Sequence, residues 1–231
     1  MKKVAIMQPT YLPWVGYFAL MSRVNVFVLL NNVQFARRSW QQRNQIKSIK
    51  GSKLLTVPVK KSGLRNQLIS DVEMVIKENA LEKHIRIIDE EYKNAPYFKY
   101  YSQELFEILS NPYTHLADLN IKLILFIKNA LDIKTDIVYS SALEVSGKKA
   151  DLLSNICKSL NADQYIAPIG SKNYIDLSNA FSEKKITIKF HVYEQYEYSQ
   201  LFGEFIPYMS TIDLLFNEGP GSKDIMTKGI K

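Results

Sequence analysis

Apolar and polar positions fall into blocks that read as short strands separated by amphipathic helices. Val4–Met7 is a continuous apolar run, the pattern of a buried strand, and it closes at Gln8-Pro9, with Pro13 in the same loop. Proline cannot donate to a sheet ladder, so the strand stops there. Residues 14–23 have helical spacing, with Trp14, Phe18 and Met21 on one face, and residues 26–30 form a second apolar strand. Strand, loop, helix and strand make a βαβ crossover. Further on, residues 53–59 read as a strand ending near Pro58, 60–66 as a basic turn around Gly63, and 69–75 as a strand-like alternation. Helices are expected over 80–92, 98–109 and 116–131, then strand 136–139, helix 151–160, and strands 164–167 and 186–191. Strands alternating with helices predict an α/β fold with a mostly parallel sheet and flanking helices, plus a helical middle segment. The expected organisation is one domain over residues 1–222 with a helical insertion at about 78–131. Residues 223–231 read as a polar, loosely held tail.

Loops at the carboxyl ends of parallel strands are where open α/β sheets bind ligands. The loop after the first strand carries Gln8, Thr10, Tyr11, Trp14 and Tyr17. The segment after the second strand interleaves Arg37, Arg38 and Arg43 with Asn31, Asn32, Gln34, Gln41, Gln42 and Asn44. Such a segment reads as a donor-rich wall for an anionic or polyhydroxylated ligand, against the plainer reading of a solvated basic loop. A net charge of +7 spread over many lysines permits phosphorylated partners. Without a basic run or nucleic-acid motif, a local phosphate site is favoured over nucleic acid. Cys157 is the single cysteine, which fits a reducing cytoplasm and reads as a small core thiol in helix 151–160. The N-terminal apolar run is too short for a signal peptide, and no window approaches the ~20 apolar residues of a membrane span.

The stretches QPTYLPWVGYF (Gln8–Phe18) and NNVQFARRSWQQRN (Asn31–Asn44) resemble the WbqC-like proteins found with bacterial O-antigen gene sets. The resemblance continues through LTVPVK (Leu55–Lys60), His84, NAPYF (Asn94–Phe98), Ser140-Ser141, SLNADQYIAPIGSKNY (Ser159–Tyr174) and MSTIDLLFNEGP (Met209–Pro220). Where that family commonly has an acidic residue before VQF, this chain has Asn31-Asn32. Trp14-Val15-Gly16-Tyr17 also resembles, in spacing, the His-x-Gly-His grip of nucleotidylyltransferase-like proteins, with aromatics in place of both histidines. There Gly16 would permit close backbone approach and the helix N-terminus would face an anion. Ser140-Ser141 is similar to their second phosphate-contacting motif. This resemblance implies a Rossmann-like sheet and nucleotide affinity, and the missing histidines argue against ordinary adenylyl transfer.

The WbqC-like resemblance implies surface-polysaccharide biosynthesis, with a nucleotide-linked sugar or other phosphorylated small molecule as partner. On that reading Arg38 and Arg43 meet the diphosphate, Trp14 and Tyr11 stack on base or sugar, and Gln8, Gln34 and Asn44 meet hydroxyls. Gly16 and Tyr17 complete the wall. The donor is open, a nucleotide or an acyl or aminoacyl compound, and the reaction would be a transfer to an amino sugar. Of the three histidines, which lack metal-ligand spacing, His84 is the candidate general base, against a histidine packed at a helix–sheet junction. Ser140-Ser141 reads as nucleophile, phosphate ligand or cap, without the Gly-x-Ser-x-Gly elbow of a hydrolase. Asp213 and Asn217, one helical turn apart, are either pocket groups or a buried hydrogen-bonding pair. Tyr193, Tyr196 and Tyr198, with Gln195 and Gln200, form a second aromatic–amide cluster. Two other functions remain open: a non-catalytic protein binding a nucleotide-sugar or a glycosyltransferase, and a variant nucleotidylyltransferase.

Overall fold

The computed structural model describes residues 1–60, 62–64, 66–75, 79–176 and 179–231. The central sheet has five strands: β1 (Lys3–Met7), β2 (Val26–Leu29), β5 (Asp136–Tyr139), β6 (Gln164–Pro168) and β7 (Thr187–His191). They lie in the order β5-β2-β1-β6-β7, and the pairings are parallel. Numbered within the sheet alone, this is the 3-2-1-4-5 order of a doubly wound fold, with a topological switch between β1 and β6.

The strands are apolar on both faces, as a sheet covered on both sides requires. Ala5, Phe27, Leu29 and Ile166 face one core; Val4, Ile6, Val26, Val28, Tyr165 and Ala167 face the other, with the period of two that a pleat imposes. Helix α1 (Val15–Ser22) lies on the first face. So do α2 (Ala80–Tyr92), α3 (Phe98–Ser110) and α4 (Leu116–Ala130), which connect toward β5. Helix α5 (Lys149–Ser159), with Cys157 fully buried, and α6 (Lys172–Asp176) follow on the opposite side. The connections change face where the strand order reverses, which opens a crevice at the carboxyl ends of β1 and β6.

Three expectations are corrected. The basic segment after β2 contains a strand: β3 (Arg43–Ser48) pairs antiparallel with β4 (Gly51–Thr56) across Ile49-Lys50, with Gly51 at φ 102°. Residues 69–75 are a 3-10 turn (Ile69–Asp71) followed by isolated bridges, Val59 with Met74 and Glu73 with His115. The C-terminal residues are folded: α7 (Thr211–Glu218) is followed by α8 (Ser222–Lys228), and Met226 is fully buried. The reason lies in α1. Its residues Val15 to Met21 are all buried, so it has no single apolar face, and α8 covers the side the sheet leaves open. Within the basic turn at 60–66, Lys61 and Arg65 lie outside the described residues, as do the expected start of the helical insertion at 78 and the side chain of Tyr174. Among the described residues, no helix is long and apolar enough to cross a membrane.

Candidate binding cleft

The loop after β1 and the loop after β2 are clasped together by amides. Tyr11 N–H donates to the Trp40 carbonyl at 3.0 Å. Gln41 Nε2 donates to Gln8 Oε1 at 2.6 Å, while Gln41 Oε1 accepts from Ala36 N. Asn44 Nδ2 donates to the carbonyls of Tyr11 and Leu12 at 3.2 and 2.6 Å. From the middle of α4, the fully buried Asn120 donates to the carbonyls of Pro9 and Gln41. Gln42 closes its own loop, accepting from Arg38 N and donating to the Val57 carbonyl. The amide-rich segment therefore builds a wall, because buried amides must find partners, and leaves Ser39 and Trp40 at its tip.

Two cavities adjoin along this wall. The first, about 380 Å³, lies at the switch point and is lined by Met7, Gln8, Leu30, Ser39, Gln41, Pro168, Gly170 and Ser171 among others. The second, about 590 Å³, is an annex lined by Trp14, Tyr17, Asn44, Gln45, Pro207 and Tyr208. Met7, Thr10 and Trp40 line both. The Trp14 ring packs edge-on against Tyr193 and Tyr208, at 5.5 and 5.6 Å between centroids. Trp40 and Tyr208 stay 56% and 58% exposed. Neither lining contains a charged side chain or an imidazole among the described residues.

The sequence-derived candidates divide accordingly. Gln8, Trp14, Tyr17 and Asn44 line the cleft. Gly16 sits beneath it in another role: a Cβ there would lie 2.2 Å from the Trp14 indole, so the ring fills the space expected for an anion. Arg38 and Arg43 do not line either cavity; the half-buried Arg43 guanidinium donates to the Arg38 carbonyl, and Arg38 is exposed at φ 56°. Gln34 is exposed beside Asn66, at 3.4 Å from Nε2 to Oδ1.

His84 and Tyr11 lie elsewhere. Tyr11 is fully buried, and its hydroxyl meets His84 Nδ1 at 2.8 Å. The imidazole also bonds to the Thr56 backbone, and burial pushes its pKa down from 6.5 to about 4, outweighing that bond. A histidine so placed is a neutral connector between α2 and the loop after β1. Its position does not put it against a ligand in either cavity, and Tyr11 has no face open for stacking.

Ser140 and Ser141 form a clasp at the ends of β2 and β5. Fully buried Ser140 Oγ donates toward Asn32 Oδ1 at 2.6 Å and accepts from Asn31 N at 3.1 Å. Asn31 Oδ1 accepts from Ser141 N, and Asn31 Nδ2 donates to Ser141 Oγ. The Asn31-Asn32 pair thus ties two strand ends together, and Ser140 is not exposed as a nucleophile. Asp213, on α7, is fully buried and accepts from the Tyr92 hydroxyl (2.7 Å), the Tyr198 hydroxyl (2.6 Å) and Gln200 Nε2 (2.7 Å). Asn217 Nδ2 donates to the Asp213 carbonyl. Both residues are buried away from the two cavities, and the carboxylate's partners are Tyr92, Tyr198 and Gln200 rather than the Asn217 amide. This knot anchors the chain between β7 and α7, where buried Lys47 also donates to the carbonyls of Gly203 and Glu204. Its far end presents Pro207 and Tyr208 to the annex.

Sequence reasoning missed Gly170, Ser171, Asn120, Pro207 and Tyr208. Gly170-Ser171 was within reach, since it follows an apolar strand as Gln8 follows β1. Asn120 looks like one polar position in an apolar helix, and Tyr208 joins the cleft only through the tertiary path of its segment.

With this geometry in place, comparison with known proteins gives a consistent assignment. The WbqC-like protein family model matches residues 8–225. A Mycobacterium tuberculosis (strain H37Rv) relative, "Uncharacterized protein Rv1507c", is 34% identical over 228 residues, covering 98% of each chain. No solved structure matches this chain. The family match spans nearly the whole fold, from the loop after β1 into α8, and the chain belongs to the WbqC-like protein family.

Proposed function

We propose that the protein acts in surface-polysaccharide assembly and binds a nucleotide-linked sugar in the cleft at the switch point. WbqC-like membership supports a polysaccharide-related role. The observation that carries the ligand class is the position of the first cavity, at the carboxyl ends of β1 and β6, continuous with an aromatic annex. Doubly wound sheets bind nucleotides at this position. The first cavity offers the Thr10 hydroxyl and the backbone at Gly170-Ser171 to phosphate and ribose, while the Ser39 hydroxyl is committed to the Ala36 carbonyl. The lining of the first cavity is as free of cations as the annex, so the diphosphate would lie at its open rim, in water, where the exposed Arg38 stands one residue from Ser39. An acyl or aminoacyl transfer in this cleft would draw on proximity of the two substrates, because the lining supplies no acid or base of its own.

That same neutrality favours a second reading, a non-catalytic protein that presents a nucleotide-linked sugar to a transferase. Nucleotidylyl transfer has less support, since the Trp14 indole occupies the approach to Gly16.

Gly170 provides the test. Gly170 is on the crevice lining, a Cβ there meets nothing within 4 Å and its φ is not positive, so a larger side chain fits without strain at the crevice mouth. Nucleotide-linked sugars are expected to raise the Tm of the native protein and not that of Gly170→Leu, whose own unfolding is unchanged. A panel that shifts neither protein, or both equally, overturns the assignment. With binding established, turnover in a mixture of acyl donors and amino-sugar nucleotides separates the enzyme from the presenting protein.

A further inference from the structure

The annex beyond Thr10 and Trp40 has its own chemistry. Its lining includes two large, largely exposed aromatics from separate segments, Trp40 on the loop after β2 and Tyr208 on the segment before α7. What sets these two apart from other exposed aromatics is that they line one concave space, where aromatic walls contact a ligand. Tyr208 is held at φ 63°, a left-handed backbone that side chains other than glycine rarely adopt. Strain of this sort persists where the surroundings enforce it. Here the enforcing groups are Gln195, whose Oε1 accepts from Tyr208 N at 2.8 Å, and the Asp213–Tyr198–Gln200 knot that anchors the segment. Trp14 lies at the back, fixed over Gly16 and against Tyr193.

The polar groups of the annex are few and neutral. Asn44 is committed to the loop carbonyls. Gln45 keeps its side-chain amide without a hydrogen-bond partner among the described residues, and Thr10 likewise keeps its hydroxyl. No guanidinium, ammonium or carboxylate lines the space among the described residues. A ligand bearing a formal charge would be desolvated there without a counter-charge.

We propose that the annex is a subsite for the ring of an uncharged sugar, a hexose, deoxyhexose or N-acylated amino sugar, held between Trp40 and Tyr208 with Gln45 on its hydroxyl or amide substituents. This rests on the nucleotide-linked sugar reading for what fills the neighbouring crevice, but not for the annex itself. Aromatic faces favour the apolar C–H face of a neutral pyranose. The same lining disfavours a uronic acid or a free amine. The subsite would therefore select the sugar, while the switch-point crevice holds the group to which it is linked.

Trp14 and Trp40 are the two tryptophans of the chain; Trp14 lines the annex alone and Trp40 lines both cavities, so the change in emission beyond that given by UDP reports on the annex. The native protein would be titrated with UDP, with UDP-N-acetylglucosamine, with UDP-glucuronic acid, and with an uncharged chitotriose, with thermal shift read in parallel. The expected result is a change in emission with the neutral-sugar ligands, and at least about tenfold weaker binding of the uronate. Trp40→Ala and Tyr208→Gly should each weaken the neutral ligand by about tenfold, the equivalent of ~1.4 kcal/mol. Stabilisation by UDP and both UDP-sugars alike, with the sugars adding nothing to the emission change given by UDP, would leave nucleotide binding standing and overturn the subsite. A response to chitotriose alone would support the subsite and count against the nucleotide reading. Silence in fluorescence toward every neutral sugar would overturn the subsite whatever the thermal shifts show.

Discussion

Around α2 and α7, ionisable side chains face protein hydroxyls and amides inside a closed core; at the carboxyl ends of β1 and β6, neutral and aromatic walls face water. His84 and Asp213 belong to the first region, Trp40 and Tyr208 to the second. The contrast separates two kinds of polar residue that a sequence presents alike. A buried ionisable group must be satisfied by the fold, and its substitution acts first on stability. A large exposed aromatic on the wall of a cleft contributes little to the fold, and its substitution acts first on binding.

The largest effect that sharpens this contrast is expected at Asp213. Asp213→Ala would leave the Tyr92 and Tyr198 hydroxyls and Gln200 Nε2 buried without their acceptor. The expected loss is about 3–5 kcal/mol of unfolding free energy, measured by denaturant titration. A loss under about 1 kcal/mol would mean that the knot does not hold the segment.

The next effect is in pH. Burial depresses His84 from 6.5 to about 4; burial and the Arg23 charge depress His191 likewise, to about 4. A depressed histidine adds stability in full above its unfolded value and loses it as pH falls through its folded value, because only the unfolded chain takes the proton in between. His84 alone accounts for roughly 3 kcal/mol over that window. Asp213 has the opposite sign: burial raises its carboxyl, so its contribution is full below the ordinary 3.8 and declines as pH rises through the higher folded value. Native stability should therefore fall from pH 6.5 toward 4. His84→Gln should flatten that slope, read as unfolding free energy across the pH range. An unchanged slope would show that His84 is open to protons in the folded state.

Much of the sheet was legible because buried parallel strands are nearly continuous apolar runs: Val4–Met7 and Val26–Leu29 carry that signal, and the edge strand Asp136–Tyr139 carries it more weakly. The strand β3 was not, since Arg43–Ser48 is polar throughout except Ile46, and its strand form comes from pairing with β4. The C-terminal helix α8 was hidden for a related reason. Only the all-round burial of α1 creates the need for its cover. At the cleft, Gln8, Trp14, Tyr17 and Asn44 were found by their place after an apolar strand. His84, Ser140 and Asp213 were singled out for their chemistry, yet their partners Tyr11, Asn31-Asn32 and Tyr92–Tyr198 come from far along the chain. Local sequence shows the group and not the partner that neutralises it.

A smaller effect distinguishes the cleft. Trp40→Ala should change unfolding free energy by no more than about 0.5 kcal/mol, since the side chain is largely exposed and the backbone bond to Tyr11 survives. Tyr208→Gly removes a left-handed side chain but also an edge contact with Trp14. These oppose each other, leaving a net change within about 1 kcal/mol. Either variant unfolding like Asp213→Ala would join the two regions into one structural unit.

The contrast is tested most directly by comparing the affinity of one nucleotide-linked neutral sugar, by titration calorimetry at pH 7, for native protein, His84→Gln and Trp40→Ala. If the neutral cleft is the site, His84→Gln binds as tightly as native protein despite lower stability, and Trp40→Ala binds about tenfold more weakly despite unchanged stability. The reverse pattern, with His84→Gln losing affinity and Trp40→Ala keeping it, would move the site to the buried histidine and contradict the assignment made here.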